Sequence, residues 1–577
     1  MKPESIASLI NGSSRFSSWA EERLALLLIP VFLLGMVLTG WLFLETSEDV
    51  FYSGDLGLKY LMLQQYARGN FSLYLDNEKP DWVNEVWDDG LYPIKPPFVI
   101  QQEGGRVVLF PIWFQLVSTP FYLLFGFRGL YILPTLALWL VWWRFIILAR
   151  FSKFPGWVTL LLVIGFIFGT PLLVYGAIFW EHTLAVFLVL VGLEFTFRIH
   201  DAGMTIPKSI LIGALFGSSV WIRPESFLIA LPVAFFLALR FIRKHNPKVT
   251  GFIISMALIV YGFMLTNWLI YEFPLGVHGT IAVFNSLYWK NFYAYGIFID
   301  LLSRTWVVFP LSALIVIVLP VFLLWARRPV ILLLTALLIL FVAAVPFVLV
   351  NSGGKQWGAR YLFVLYPVVL MLAGFQFVDL RILQFGLFKF LYLAIFFSML
   401  GFGIYMNSVQ GSAHIVYNYR DRLKPALEYL QDVRPEAIAA GDAYVAQSLA
   451  PLYHEMNFFL AEDNETFRLL VSHLHKQRIC QFVFVMDPYN DSLPTAMVES
   501  AAGNNAFILT ITGPSSYGFY DFYLVKLNDC DPSHKTVTAP MNSNYSHVYL
   551  PAMKTFDQLK SRNDGISHEN IGCYALL

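Results

Sequence analysis

Apolar runs close to the length of a membrane span, about 20 residues, follow one another through most of this chain and leave it few folds to choose from. They fall at 24–44, 129–149, 156–178, 183–198, 208–222, 225–241, 249–270, 306–325, 329–350, 361–379 and 386–405. Such a series predicts a polytopic α-helical membrane protein of about 11 spans. The short loops between the runs sort by charge. One set carries Arg144, Arg150 and Lys153; Arg198 and Lys208; Arg240, Arg243, Lys244 and Lys248; Arg327 and Arg328; Arg381 and Lys389. The positive-inside rule puts that set in the cytoplasm. The alternate loops, 45–128, 180–182, 223–225, 271–305 and 351–360, are then external, and a single orientation accommodates every basic cluster.

Only 14% of the 577 residues are charged, against about 25% in soluble domains, and the shortfall lies in the first four hundred or so. Net charge is zero, so no global basic field points to nucleic acid. Residues 1–23 are polar and mixed in charge, a cytoplasmic segment. The run at 24–44 lacks a small-x-small cleavage site and reads as a retained first span. After Tyr405 the composition becomes ordinary. Helix-like stretches such as NETFRLLVSHLHKQ alternate with strand-like ones such as ICQFVFVMD, which predicts a small external α/β domain over 406–577. The transmembrane domain is then 24–405. Cys480, Cys530 and Cys573 all lie in the external domain, consistent with an oxidising compartment. Their spacing leaves open which two pair, or whether any do. A bacterial inner membrane with a periplasmic site is expected ahead of the endoplasmic reticulum. Asn464-Glu-Thr466 and Asn544-Tyr-Ser546 would be glycosylation acceptors only in the latter.

The long first external loop, 45–128, opens with FYSGDLGLKYLMLQQYAR. Ser53, Gly54 and Asp55 are helix-start signals and Gly69 a stop. Leu56, Tyr60, Leu63 and Ala67 share one face while Lys59, Gln64 and Arg68 stay polar, the pattern of a helix lying along a membrane surface. Further on, FPIWFQLVSTPFYLLF is apolar but short and holds Pro111 and Pro120. Taken as a span it would invert every later loop, so it reads as a second interfacial helix. Asp55 is expected to be a catalytic carboxylate at the outer face; the plainer alternative is a helix cap.

Three further clusters fall on external turns. Glu181 and His182, side by side, can hold a divalent cation or orient a hydroxyl; the alternative is a solvated turn. Arg223 reaches the outside against the charge bias and suits bidentate phosphate binding, although Pro224 and Glu225 also spell a helix start. In KQWGARY, Lys355 and Arg360 with Gly353, Gly354, Gly358 and Tyr361 make an anion site or a lipid-headgroup anchor. His278, Lys290, Tyr293 and Arg304 would shape an entrance. No motif calls for a cofactor; a metal ion at Glu181 and His182 is the one this pair admits. Phosphate-loop, zinc-protease and nucleophile-elbow motifs are absent. Glu194 stands out as a charge within a span, where proton relays usually need several.

With an acid soon after the first span (Asp55), a long first external loop with two interfacial helices, an acid after the third span (Glu181) and Gly358-Ala359-Arg360-Tyr361 before a late span, residues 24–405 resemble the GT-C superfamily. Its polytopic glycosyltransferases include protein O-mannosyltransferases and the aminoarabinose transferases that modify lipid A. The resemblance implies transfer of a sugar, with inversion, from a polyprenyl-phosphate donor to a glycan, lipid or protein acceptor outside the cytoplasm. Asp55 would be the base, Arg360, Lys355 and Arg223 the phosphate ligands, and Tyr361 and His182 further substrate contacts. Two other readings remain: a lipid transporter or flippase, which should show duplicated or broken helices, and a non-catalytic scaffold, in which the polar external residues would not converge.

Overall fold

The computed structural model describes residues 26–46, 49–75, 78–96, 98–108, 110–202, 205–244, 247–276, 292–324, 328–349, 352–354, 356–379, 386–487, 509–527 and 530. The chain divides into two compact units. The first takes in residues up to Asp76, Lys95–Ser352 and Trp357–Asp421. All eleven expected apolar runs are helical in whole or large part. By length and composition, six described helices can cross a membrane, or up to seven if a bent pair counts as one; Gly156–Phe168 and Ile206–Ile222 are apolar but shorter than a span.

Two of the expected spans are interrupted, each at an identifiable break, and a third opens irregularly. The run at 156–178 stops as a helix at Phe168, before Gly169 and Pro171, and resumes only as the single turn Leu172–Tyr175. That at 306–325 breaks before Leu311, where the chain bends by 111° between Ala294–Val308 and Leu311–Leu323; Pro310 has no N–H to continue the ladder. The run at 361–379 opens as a 3-10 segment, Arg360–Leu365, before the α-helix Tyr366–Asp379. In the first loop, the Trp113–Phe125 helix ends at Gly126, whose φ of +62° leaves the helical region. A Cβ placed on Gly129 would come within 2.0 Å of the Phe121 carbonyl oxygen. Eight residues of straight helix would hold those two about 12 Å apart, so the chain folds back here. Trp113–Phe125 is a separate short helix, not the start of the Gly129–Phe151 span.

Between the two loop helices stands a hairpin of β1, Val99–Gln102, and β2, Gly105–Val108. Glu194, the charge within a span, is fully buried; it joins its own His182–Ala202 helix to Gly129–Phe151 through Arg144 at 2.7 Å, and pairs along its own helix with Arg198 at 2.8 Å. Its place is structural: both carboxylate oxygens are taken by arginines.

The second unit gathers Asn77–Ile94, Gly353–Gln356 and the chain from Arg422 onward. It is the expected α/β architecture. Its sheet has the order β4-β3-β5-β7-β6, with β3 (Ile438–Ala440) parallel to β4 (Phe458–Leu460) and β5 (Gln481–Met486). The antiparallel pair β6 (Leu509–Tyr517) and β7 (Tyr520–Leu527) completes it. The Asn464–Lys476 helix starts at Asp463 with a capping box and buries Phe467, Leu470, Val471 and Leu474, spaced to form one apolar stripe. Segment 78–94 is tied in by Lys79, which donates to the His454 and Met456 carbonyls, and by Trp87, whose indole donates to Phe458. Cys480 pairs with Cys530, which settles the pairing the spacing had left open; Cys573 lies outside the described residues.

Candidate active site

The Gly54–Ala67 helix forms as expected but is not a one-faced surface helix. Leu56 through Leu63 are buried without interruption, and Lys59, assigned to a polar face, is only 3% exposed. Neighbouring elements cover both sides, and the ammonium finds a carboxylate there instead of water. Asp55 does not cap the helix either: Ser53 occupies the N-cap position, and Asp55 sits in the first turn. Its Oδ2 accepts from Arg360 Nη2 at 3.1 Å.

Arg360 reaches this point because of how residues 357–360 are held. Gly358 has a φ of +72°, and a Cβ there would lie 2.8 Å from Val308 Cγ2 and 3.2 Å from Pro171 Cγ. Only glycine takes this turn without strain. Just before it, the Trp357 indole donates to Asn407 Oδ1 at 3.1 Å. The Asn407 amide nitrogen in turn reaches the carbonyls of Gly169, Val308 and Gly403 at 2.9, 2.6 and 2.8 Å. The helix breaks at Gly169 and Val308 thus free the carbonyls that anchor the approach to Arg360.

A second ion-paired group lies beside the first. Lys59 Nζ donates to Glu181 Oε2 at 2.5 Å, and Arg223 Nη1 to Glu181 Oε1 at 2.8 Å. Arg223 also donates through Nε to Glu225 at 2.7 Å, and Nη2 pairs with the same carboxylate. Burial alone raises a carboxyl's pKa, but the Lys59 and Arg223 cations outweigh it and hold Glu181 well below the usual carboxylate range. Aromatic rings bind the two groups together. The Arg360 guanidinium lies 4.7 Å over the Trp180 ring, and the Tyr361 ring is 5.3 Å from Arg223 and 5.4 Å from Arg360. Asp55, Glu181 and Glu225 therefore face Lys59, Arg223 and Arg360, three acids against three bases.

Asp55, Glu181, Arg223, Arg360 and Tyr361 are thus brought to one place. The His182 ring sits in a box of aromatic rings, 5.6 Å from Tyr175, 5.4 Å from Trp180 and 5.8 Å from Phe363. Lys355, His278 and Lys290 lie outside the described residues. Arg304 pairs with Asp300 at 2.8 Å. The Glu181–His182 pair does not fit a metal: both Glu181 oxygens are held by cations, and no group of three acid, histidine or cysteine side chains suited to an ion occurs among the described residues. Sequence reasoning missed Lys59 and Asn407. A lone lysine one turn after the key acid, on a helix otherwise apolar around it, was the available signal for Lys59; Asn407 carried none.

No family model and no curated protein matches this sequence. Solved structures do. The crystal structure of ArnT from Cupriavidus metallidurans bound to undecaprenyl phosphate aligns with a TM-score of 0.50 and 12% identity, over 87% of this chain and 97% of its own. Its apo form gives 0.50 and 12%, over 88% and 98%. An oligosaccharyltransferase from Archaeoglobus fulgidus aligns at 0.49 and 11%, over 85% of this chain and 74% of its own. With nearly the whole length of ArnT matched and a broken-helix membrane unit followed by an α/β unit, the chain has a GT-C fold.

Proposed function

We propose that this protein is a membrane glycosyltransferase that moves a sugar from a polyprenyl-phosphate donor to an acceptor hydroxyl at the outer face of the membrane. The observation that carries the reading is the Asp55–Arg360 contact: a carboxylate able to take a proton and a guanidinium able to take up phosphate charge, side by side on elements far apart in sequence. A scaffold has no need of such convergence. The likeness in fold to a protein crystallised with undecaprenyl phosphate supports a polyprenyl-phosphate partner.

In the proposed step Asp55 accepts the proton of the acceptor hydroxyl as its oxygen bonds to the anomeric carbon. The bond from that carbon to the phosphate oxygen breaks on the opposite face, its electron pair staying on the phosphate. Arg360 stabilises the charge that grows there. A guanidinium has five donors. One Arg360 donor is on Asp55, and its buried Nε has no hydrogen-bond partner among the described residues, so it has capacity for both. Arg223, with its donors on Glu181 and Glu225, shapes the field more than it binds phosphate directly; Tyr361 lies between the two arginines. His182 contributes packing, and Lys355 is assigned to the phosphate by sequence alone. The acceptor is a glycan, lipid or protein; the loop charges support a site on the non-cytoplasmic face, and the likeness in fold to a bacterial protein supports the periplasmic face of an inner membrane.

Incubating the purified protein with a panel of radiolabelled polyprenyl-phosphate sugars and acceptors tests this. Label should leave the lipid, and Asp55→Asn should slow its loss by about 10²–10⁴-fold. Transfer that is unchanged in that variant removes the base. The 111° break between Ala294–Val308 and Leu311–Leu323 is a feature a transporter also uses. Movement of labelled lipid across liposome leaflets without sugar loss would favour that second reading.

A further inference from the structure

The glycosyl-transfer reading leaves Lys59 without a task, yet it is the most deeply buried cation of the cluster. A buried lysine with one carboxylate partner is costly to desolvate and is rarely kept for stability alone. Its position suggests what it does. Asp55 and Lys59 lie one turn apart on the Gly54–Ala67 helix, so both project from the same side. Asp55 is held by Arg360, which lies over Trp180; the next residue, Glu181, holds Lys59. The contacts close a ring: Asp55, Arg360, Trp180, Glu181, Lys59 and back along the helix to Asp55.

We infer that Lys59 is a positioning residue for Asp55, and this inference rests on the glycosyl-transfer reading above. In the resting site two tethers fix the carboxylate: Arg360 directly, and Lys59 through Glu181. During transfer Arg360 must also serve the departing phosphate, and its hold on Asp55 weakens as charge grows there. The Lys59–Glu181 pair then still ties the turn that carries Asp55 to the Glu181 turn. Glu181 is itself held from the other side by Arg223 and, through it, by Glu225, so the anchor does not move with the substrate. Lys59 needs no contact with either substrate to do this. Its loss is therefore felt in the chemical step and not in binding.

The test compares wild type with Lys59→Met, Lys59→Arg and the double variant Lys59→Met with Glu181→Gln, which leaves no buried carboxylate short of a partner. Three readouts are taken in detergent micelles: thermal stability, hydrogen–deuterium exchange of the peptide covering Gly54–Ala67 with no substrate present, and the kinetics of sugar transfer. Lys59→Met should speed exchange in that helix about tenfold and lower kcat by about 10²-fold, the scale a 1 Å misplacement can reach, with KM unchanged. Lys59→Arg should restore most of both. The double variant should recover the thermal stability of wild type yet keep the low kcat. A kcat that recovers with stability in the double variant overturns the inference, as does a Lys59→Met effect confined to KM, which would make Lys59 a substrate contact. Should wild type transfer no sugar from any donor, the glycosyl-transfer reading fails, while the exchange measurement still decides whether Lys59 tethers the helix.

Discussion

Replacing Asn407 with aspartate changes one atom's chemistry and almost nothing of its shape, and the structure sets what that should cost. Asn407 is fully buried. Its amide nitrogen lies within 2.9 Å of three carbonyl oxygens, those of Gly169, Val308 and Gly403. An amide has two N–H donors, so one is shared between two of these oxygens. Aspartate has none to offer, and its oxygen would face the three carbonyls at the same short range. Two acceptors at helix breaks, Gly169 and Val308, would be left unpaired in a buried setting, at about 1–3 kcal/mol each. A total of roughly 3 kcal/mol, or about 5 °C in unfolding temperature, is the expected loss for Asn407→Asp. Asn407→Ala should cost less, since it removes the donor without adding repulsion. Both should also slow transfer: in Asn407→Ala the Trp357 indole loses its acceptor, and in Asn407→Asp the carboxylate that accepts from it is repelled by the carbonyls it faces, so either change disturbs the anchor three residues before Arg360. Intrinsic-fluorescence melts in detergent and the lipid-label assay measure the two effects. An Asn407→Asp protein that melts within about 1 °C of wild type and transfers at the same rate would refute the claim that this amide joins the helix breaks to the site.

Gly358→Ala puts a Cβ against Val308 and Pro171 at a φ of +72°; a cost of about 1–3 kcal/mol and a loss of transfer greater than the loss of folded protein are expected, read by comparing rate per folded molecule. Cys480→Ser opens the disulfide to Cys530, which spans 50 residues; this should weaken the second unit by about 4 kcal/mol on a chain-entropy basis, seen as protease sensitivity after Arg422 with the first unit's melt unchanged.

How much could be read in advance follows from the range of the forces involved. Apolar run length and the sign of loop charges are local properties, written residue by residue, so the helices, their order and the α/β character of the last third were legible in the sequence alone. Asp55, Glu181, Arg223 and Arg360 could be marked as candidates too, because the last three sit on short external turns between apolar runs and Asp55 opens the helix after the first run. Their partners could not. Asp55 and Arg360 are 305 residues apart, and Lys59 and Glu181 are 122; no periodicity carries a pairing across such distances. Tertiary packing alone buried Lys59, gave both oxygens of Glu181 to cations, put His182 among aromatic rings, and made an unremarked asparagine the junction of two helix breaks. Desolvation is the reason in each case: once the helices assemble and exclude water, a polar group is committed to whichever partner the fold leaves within reach, and that choice exists only in three dimensions.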